Sequence, residues 1–146
     1  RFDFKIKTPQ LVLLSDYAHH PKEIYQSARS IRQLYQDRHI TAIFQPHLYT
    51  RTRDFYLDFA EALSQLDEVI ITEIYPAREE PIEGVSSQLI YDHLKPGVKR
   101  ELIRKDDVIS YVRSRDFDVL IILGAGDLDN MFPQLTKLLN ERIKKG

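Results

Sequence analysis

Three cationic side chains fall within a short segment that the sequence predicts to be a loop and the first turn of a helix. They are His47, Arg51 and Arg53. The positive end of the helix macrodipole makes this a poor place for cations and a good one for anions. Two interpretations are open: the three side chains join an anionic ligand there, or the two arginines are solvated and point away from the helix end.

The elements around this segment follow from the apolar pattern. The run 40–44 is typical of a strand, and Pro46 ends it because proline has no N–H for the ladder. Beyond the cations, apolar residues at helical spacing predict a helix with one buried stripe. That stripe contains Phe55, Phe59, Ala62, Leu63 and Leu66. The three cations therefore lie in a strand-to-helix connection.

The rest of the chain repeats this alternation. Further strands are predicted at 1–7, 11–14, 69–74, 100–103 and 119–123, and the last is placed centrally because it is the most apolar. Helices are predicted from Pro21, from Ser86 or Ser87, from Asp106 and after Asp127. Their expected buried residues include Ile24, Ala28, Ile31, Leu34, Met131, Leu135, Leu138, Leu139 and Ile143. Alternating strands and helices predict a doubly wound α/β fold, with a mostly parallel sheet and helices on both faces.

Composition limits the function classes. With 146 residues the chain is expected to form a single domain, 1–146, and because it starts at Arg1 rather than Met we expect it to be part of a larger protein. The formal net charge of −1 gives no field for nucleic acid or an acidic membrane surface, and no apolar run reaches membrane-spanning length. The absence of Cys fits a reducing compartment.

The residues suited to chemistry are predicted to lie on one rim of the sheet. Ligands of such sheets bind beyond the carboxyl ends of the strands. The segments expected at that edge are 16–20, 47–53, 75–83 and 124–127. The opposite connections, for example 37–39 and 114–116, are short and chemically ordinary. This asymmetry predicts a ligand site at the carboxyl edge without reference to any family.

The first of these segments has two interpretations. Asp16 can accept hydrogen bonds from ribose hydroxyls, as acidic residues at strand ends do in nucleotide-binding folds. Alternatively, Asp16 or His20 caps the helix that begins at Pro21. A metal site is not predicted, because adjacent histidines such as His19 and His20 seldom converge on one ion.

The last segment contains Gly124, Ala125 and Gly126. Its small residues permit close approach of backbone N–H groups to a carboxylate, and a tight strand-to-helix turn explains them equally well. The sequence has no glycine-rich loop ending in Lys-Ser or Lys-Thr, and therefore no nucleoside-triphosphate cradle of its own. For the acidic loop residues Glu79, Glu80 and Glu83, a solvated face is favoured over metal or amine binding.

Taken in order, four segments resemble the C-terminal domain of the Mur ligases. They are Asp-Tyr-Ala-His-His-Pro at 16–21, Phe-Gln-Pro-His at 44–47 followed by Tyr-Thr-Arg-Thr-Arg-Asp at 49–54, Tyr-Pro-Ala and Glu-Glu-Pro-Ile within 75–82, and Gly-Ala-Gly-Asp at 124–127. Each is weak alone, but together they span nearly the whole chain. The match is best to the alanine-adding branch.

The resemblance implies a cytoplasmic, ATP-dependent ligase of peptidoglycan precursor synthesis, and hence a role in cell wall biogenesis, cell shape and cell division. It would join L-alanine to UDP-N-acetylmuramate through an acyl phosphate, with ATP and Mg²⁺ held mainly by a central domain and the UDP-sugar by an N-terminal domain. This chain would be the closing lid. It would contact the N-terminal and central domains and would be inactive alone. Contacts with nucleic acid or a membrane are not expected.

The resemblance also implies site residues. Asp16 and His20 would face the nucleotide; His47, Arg51, Arg53 and the segment 124–126 would face the substrates. Many members have Arg where this chain has Leu48, so the substrate-facing charge is expected to come from Arg51 and Arg53. Two alternatives remain: a ligase that recycles murein peptides, and a non-catalytic module that binds an anion or nucleotide.

Overall fold

The computed structural model describes residues 2–145, with the backbone alone at Lys145, and places six strands of that range in one sheet. The strands are β1 (Phe2–Lys7), β2 (Val12–Asp16), β3 (Ile40–Phe44), β4 (Glu68–Ile71), β5 (Lys99–Leu102) and β6 (Val119–Leu123). Their order is β1-β2-β6-β3-β4-β5, and β1 alone among them is antiparallel to its neighbour. The predicted mostly parallel sheet with a central last strand is confirmed.

Helices cover both faces of this sheet. They are α1 (Pro21–Leu34), α2 (Tyr49–Leu63), α3 (Gln88–His93), α4 (Val108–Arg113) and α5 (Phe132–Lys145), with 3-10 turns at Lys105–Asp107 and Asp127–Met131. α1, α2 and α3 contribute to one apolar cluster, and α4 and α5 to the other. β2, β3 and β6 are buried along their whole length, which explains their continuous apolar runs. No helix within residues 2–145 is both long and apolar enough to cross a bilayer.

Two residues predicted to be buried are exposed, and three more, Met131, Leu138 and Ile143, are only partly buried. Leu34, the last residue of α1, is 52% exposed, and Phe55 is 41% exposed. Phe55 has φ −129° and ψ 15°, which interrupts α2 and takes its side chain out of register with the buried Phe59. Helical spacing predicts a shared face only while the helix is continuous. Phe55 instead lines a groove of about 430 Å³ between α1 and α2, together with Tyr25.

Several predicted boundaries and caps also differ. β4 ends at Ile71 rather than at Ile74, which is buried outside the strand. Of the two predicted caps of α3, Ser86 accepts a hydrogen bond from the Gln88 N–H (3.2 Å), whereas the Ser87 hydroxyl donates to the Thr72 carbonyl (2.6 Å). Asp106 lies within a 3-10 turn and provides no side-chain cap. The predicted first strand is observed from Phe2, and its residue Arg1 lies outside the described range.

The course of the chain creates a crevice at the carboxyl edge. After β2 and β3 the chain enters α1 and α2 on one face, whereas after β6, which lies between these strands, it enters α5 on the other face. Because these connections leave neighbouring strands toward opposite faces of the sheet, a gap forms between them at the strand ends. Ligands of open α/β sheets bind at such switch points.

Candidate functional site

The loops after β2, β3 and β4 meet at this carboxyl edge. The His47 ring centroid lies 5.9 Å from that of His19 and 5.3 Å from that of Tyr75. His19 in turn lies 5.0 Å from His20. The structure therefore joins His20 and His47, both predicted as site residues, into one cluster through His19.

The backbone pairs the loop after β3 with the loop after β4. The Leu48 N–H donates to the Tyr75 carbonyl (2.9 Å), and the Tyr75 N–H donates to the Pro46 carbonyl (2.8 Å). Leu48 itself has φ 76° and ψ 136°. Backbone conformations of this kind cost a residue with a Cβ about 1–3 kcal/mol, and they persist only where the surrounding contacts enforce them. The paired loops supply such contacts.

The anion at the N-terminus of α2 belongs to the protein itself. Glu79, in the loop after β4, accepts hydrogen bonds from the backbone N–H groups of Tyr49 (2.5 Å) and Thr50 (3.1 Å) and from the Thr50 hydroxyl (2.5 Å). The Thr50 hydroxyl and these N–H groups hold the pKa of Glu79 below its usual value. The expectation of a solvated Glu79 is wrong, because spacing in the sequence does not show which helix end a distant loop reaches.

Two buried polar atoms near this cap have no hydrogen-bond partner within residues 2–145. They are Nδ1 of His47 and Nη1 of Arg51. Burial, and then the positive charge of Arg51, lower the pKa of His47. An unpaired buried polar atom destabilises the protein, and a ligand that bonds to it offsets that cost. The pair is suited to an anion such as a carboxylate or phosphate.

Other arginines of the described range differ from Arg51 in that their guanidinium groups have hydrogen-bond acceptors. Arg32 donates to Asp67 Oδ2 (2.6 Å), and Arg142 donates to the carbonyls of Arg115 (2.6 Å) and Val112 (2.9 Å). Arg53, a predicted site residue, donates to Asp54 Oδ1 (2.8 Å), and both side chains are about half exposed. The structure thus separates Arg53, which has an exposed partner of its own, from Arg51.

Titration of His47 in this chain is expected to have its midpoint below 6.5, the ordinary value for the imidazole. Because folding lowers this pKa, the native state binds fewer protons than the unfolded chain. The free energy of unfolding should therefore decrease as the pH falls from 6.5 through the folded pKa of His47. Inorganic phosphate bound beside the ring should raise the midpoint by favouring imidazolium. Histidine NMR with and without phosphate measures both effects.

His93, whose Nδ1 contacts the Leu89 carbonyl (2.8 Å) on α3, serves as the internal control for phosphate. A His47 midpoint at or above 6.5 in phosphate-free buffer would contradict the burial described here. Equal phosphate responses at His47 and His93 would show that the anion acts through ionic strength alone.

Asp16 lies at the end of β2 and is only 4% exposed. One carboxylate oxygen accepts a hydrogen bond from the Ala18 N–H (3.2 Å), and the other accepts one from the Ser27 hydroxyl. A cavity of about 300 Å³ borders the carboxylate and is also lined by Tyr17, Glu23 and Ser27. Asp16 is therefore fixed to α1 at the wall of a small cavity.

His20 directly precedes α1 and forms a capping box with Glu23 at the start of this helix. Glu23 Oε1 accepts from the N–H groups of His19 (3.1 Å) and His20 (3.0 Å), and these bonds hold the pKa of Glu23 below its usual value. The His20 ring is left exposed at the edge of the groove between α1 and α2.

Protein atoms fill the space beside the two glycines that follow β6. A Cβ at Gly124, where φ is +139°, would lie 2.9 Å from the Gln45 carbonyl oxygen. A Cβ at Gly126 would lie 2.4 Å from Gln45 Oε1 and 2.9 Å from the Tyr75 side chain. Ala125 between them is buried. Of the two interpretations from sequence, the tight-turn one accounts for both glycines.

A polar network fixes this turn to the neighbouring strands. Gln45 donates to Asp127 Oδ1 (2.7 Å) and accepts from the Leu128 N–H (2.9 Å), while Lys105 donates to Asp127 Oδ2 (2.5 Å). Burial raises the pKa of Asp127, but the hydrogen bonds from Lys105 and Gln45 outweigh it and hold that pKa below its usual value. The network connects the ends of β3, β5 and β6.

Sequence reasoning placed Tyr75 at this edge, within the segment 75–83, but did not select Lys105. Lys105 follows the predicted strand 100–103, so the rule about carboxyl ends could have found it. Within the described part of the chain, no three His, Asp or Glu side chains group closely enough to hold a metal ion.

The family model described as "Mur ligase, glutamate ligase domain" matches residues 1–126 of this chain. The chain belongs to the Mur ligase family. The resemblance predicted from the four segments is thereby confirmed, and so is the Rossmann-like fold of a Mur ligase C-terminal domain.

Mur ligases of the alanine-adding type are similar to this chain over nearly its whole length. The UDP-N-acetylmuramate–L-alanine ligase of Phocaeicola vulgatus is 61% identical over 142 residues, and that of Parabacteroides distasonis is 50% identical over 145 residues. These alignments cover 97% and 99% of the chain. The chain spans 31% of the length of each of these relatives.

Solved Mur ligase structures share the fold. The UDP-N-acetylmuramate–alanine ligase of Thermotoga maritima superposes with a TM-score of 0.71 at 26% identity, covering 99% of this chain and 30% of that one. A domain from a candidate Mur ligase of Haemophilus ducreyi superposes with a TM-score of 0.66 at 19% identity. It covers 95% of this chain and 99% of that one, so a unit of this extent has been solved as a separate chain.

Proposed function

We propose that this chain is the C-terminal domain of an ATP-dependent ligase that joins L-alanine to UDP-N-acetylmuramate. The observation that carries the proposal is its 61% identity, over 97% of its length, to a ligase named for that reaction. The buried, unpaired atoms of His47 and Arg51 support it, because both named substrates are carboxylic acids.

In this proposal the carboxyl edge of the sheet completes an active site whose other parts lie outside the chain. The sequence has no phosphate loop, so other domains hold the ATP phosphates and Mg²⁺, while ATP supplies the phosphoryl group that activates the muramoyl carboxylate. Arg51 and His47 bind and orient a substrate carboxylate. Asp16 would accept ribose hydroxyls, and its position at the wall of a small cavity supports this role.

Exposed apolar side chains mark the surface that such other domains would contact. Tyr17 is 59% exposed and Leu57 57% exposed, and Tyr25 and Phe55 line the groove between α1 and α2. Tyr17 directly follows Asp16 at the carboxyl edge, while Tyr25 and Phe55 lie in the first halves of their helices, which start from that edge. A lid that closes over a substrate would cover these residues and exclude water from the site.

The recycling ligase alternative has weaker support. A murein peptide ligase of Psychrobacter arcticus superposes with a TM-score of 0.68, but at 18% identity, which indicates the shared fold alone. The alanine-adding relatives are 38–61% identical across at least 90% of the chain. Alanine is therefore the amine that we propose.

The proposal predicts that the 146-residue chain alone neither hydrolyses ATP nor forms an amide bond. The gene is expected to continue upstream of Arg1 with a glycine-rich loop ending in Lys-Ser or Lys-Thr. The full-length product should form UDP-N-acetylmuramoyl-L-alanine and release phosphate, as measured by mass spectrometry and a phosphate assay. Deleting residues 1–146 from it should abolish both.

Three outcomes would contradict the proposal. An upstream stop codon would favour a stand-alone binding module, and ATP hydrolysis by the chain alone would locate the phosphate site within it. A full-length protein that attaches a preformed peptide but not alanine would favour the recycling ligase.

A further inference from the structure

The N-terminus of α2 is capped by a residue that is distant in the sequence, and not by a residue at the helix end itself. The first turn of this helix contains no acidic residue, and Leu48, the residue before it, has no side-chain group to cap it. The first N–H groups of a helix have no partner inside the helix. Glu79 satisfies those of Tyr49 and Thr50 from the loop after β4, and also binds the Thr50 hydroxyl.

This contact fixes the residues on either side of it. Leu48 is held in its unfavourable backbone conformation by the bond from its N–H to Tyr75 and by the Glu79 bond to the next residue, Tyr49. His47 directly precedes Leu48, and Arg51 follows Thr50. Along the chain, the residues that Glu79 contacts, Tyr49 and Thr50, therefore lie between the two residues whose Nδ1 and Nη1 atoms are buried and unpaired.

The cap also restricts where a ligand can bind. Glu79 already occupies the positive end of α2, so a second carboxylate at those N–H groups would meet a like charge at close range. An anionic ligand is directed instead to the side chains of Arg51 and His47. The hypothesis from sequence placed a ligand anion at the helix end itself; Glu79 fills that place.

We propose that Glu79 is a positioning residue, which holds Leu48 and the first turn of α2 so that His47 and Arg51 can bind the carboxylate of a substrate. This inference rests on the proposed function for the identity of that carboxylate. Glu79 acts through its hydrogen bonds to Tyr49 and Thr50 and takes no part in the reaction itself. Its neighbour Glu80 is exposed and makes no hydrogen bond within residues 2–145, which makes it a matched control.

The first test uses the chain by itself, since the separately solved Haemophilus ducreyi domain shows that this fold exists as an isolated unit. Glu79→Gln and Glu79→Ala are compared with Glu80→Gln and Glu80→Ala by NMR. Burial and the charge of Arg51 lower the pKa of His47, and the negative charge of Glu79 partly opposes them. Both Glu79 variants should therefore lower the His47 midpoint, with the amide signals of Tyr49 and Thr50 shifted, and the Glu80 variants should leave them unchanged.

The second test uses the intact ligase. Glu79→Ala should raise KM for alanine or the sugar nucleotide by about ten-fold, the scale of one charge-assisted contact, while KM for ATP stays within about two-fold. Glu79→Gln should fall between wild type and Glu79→Ala, because its amide oxygen still accepts from the helix N–H groups. Glu80→Ala should behave as wild type.

Two results would overturn the positioning role. One is an unchanged His47 midpoint in Glu79→Ala; the other is a loss of thermal stability with normal KM values, which would make Glu79 a structural cap only. If the intact ligase uses no alanine in any variant but the His47 midpoint still shifts, the proposed function fails and the effect of Glu79 on the His47–Arg51 pair stands.

Discussion

Replacing Arg51 with alanine in the intact ligase is expected to lower kcat/KM for alanine or the sugar nucleotide by about ten- to hundred-fold. A charge-assisted hydrogen bond contributes roughly 1.5–3 kcal/mol, and this one would be lost from the transition state. In the isolated chain the same change removes a buried, unpaired Nη1 atom. The Tm of the isolated chain should therefore be unchanged or slightly higher. Steady-state kinetics of the intact ligase measures the change in kcat/KM.

Arg53→Ala is the matched control, since this arginine lies two residues further along α2 and is bound to the exposed Asp54. It should change kcat/KM by less than about two-fold, as expected for an exposed ion pair. A large effect of Arg53→Ala would restore the substrate-facing role that the family resemblance implies for both arginines. A clearly destabilised Arg51→Ala chain combined with normal kinetics would make Arg51 a structural residue.

Asp16→Ala is expected to affect both stability and nucleotide use. It leaves the buried Ser27 hydroxyl and the Ala18 N–H without their acceptor, which costs about 1–3 kcal/mol of unfolding free energy. If Asp16 also holds the ribose, KM for ATP rises about ten- to hundred-fold while KM for alanine stays nearly unchanged. Urea denaturation of the chain and kinetics of the intact ligase measure the two effects separately.

Ser27→Ala separates the two roles of this carboxylate. It removes the hydroxyl donor but keeps Asp16, so it should cost less stability than Asp16→Ala and leave KM for ATP close to wild type. In the double variant no hydroxyl is left unpaired, so the combined loss should be smaller than the sum of the single losses. Normal KM for ATP in Asp16→Ala would show that the carboxylate only ties β2 to α1.

The sequence predicted the layers of the fold because apolar periodicity is a local property. The runs 40–44 and 119–123 are continuous because strands buried on both faces have no solvent side. The marked apolarity of the run 119–123 also predicted its central position in the sheet, whereas the order of the other strands was not predicted. The location of the site followed from the same reasoning, since ligand edges are set by strand direction.

The contacts inside the site were less accessible to sequence reasoning. Glu79 reaches α2 from 29 residues away and Lys105 reaches Asp127 from 22 residues away, and no spacing rule specifies either contact. The conformation of Leu48 is imposed by a neighbouring loop, since leucine has no intrinsic preference for positive φ. The exposure of Phe55 depends on a kink that the helical pattern does not encode.

The central position of β6 has a consequence for how the domain forms. β2 and β3 do not pair with each other; each pairs with β6, which is the last strand in the sequence. During synthesis at roughly 5–20 residues per second, β2 and β3 therefore remain unpaired for on the order of seconds before β6 leaves the ribosome. Pairing between strands so far apart in the sequence is also slow, because the entropy cost of loop closure comes before the favourable free energy of the contacts. The nascent chain is therefore most prone to aggregation just before β6 emerges.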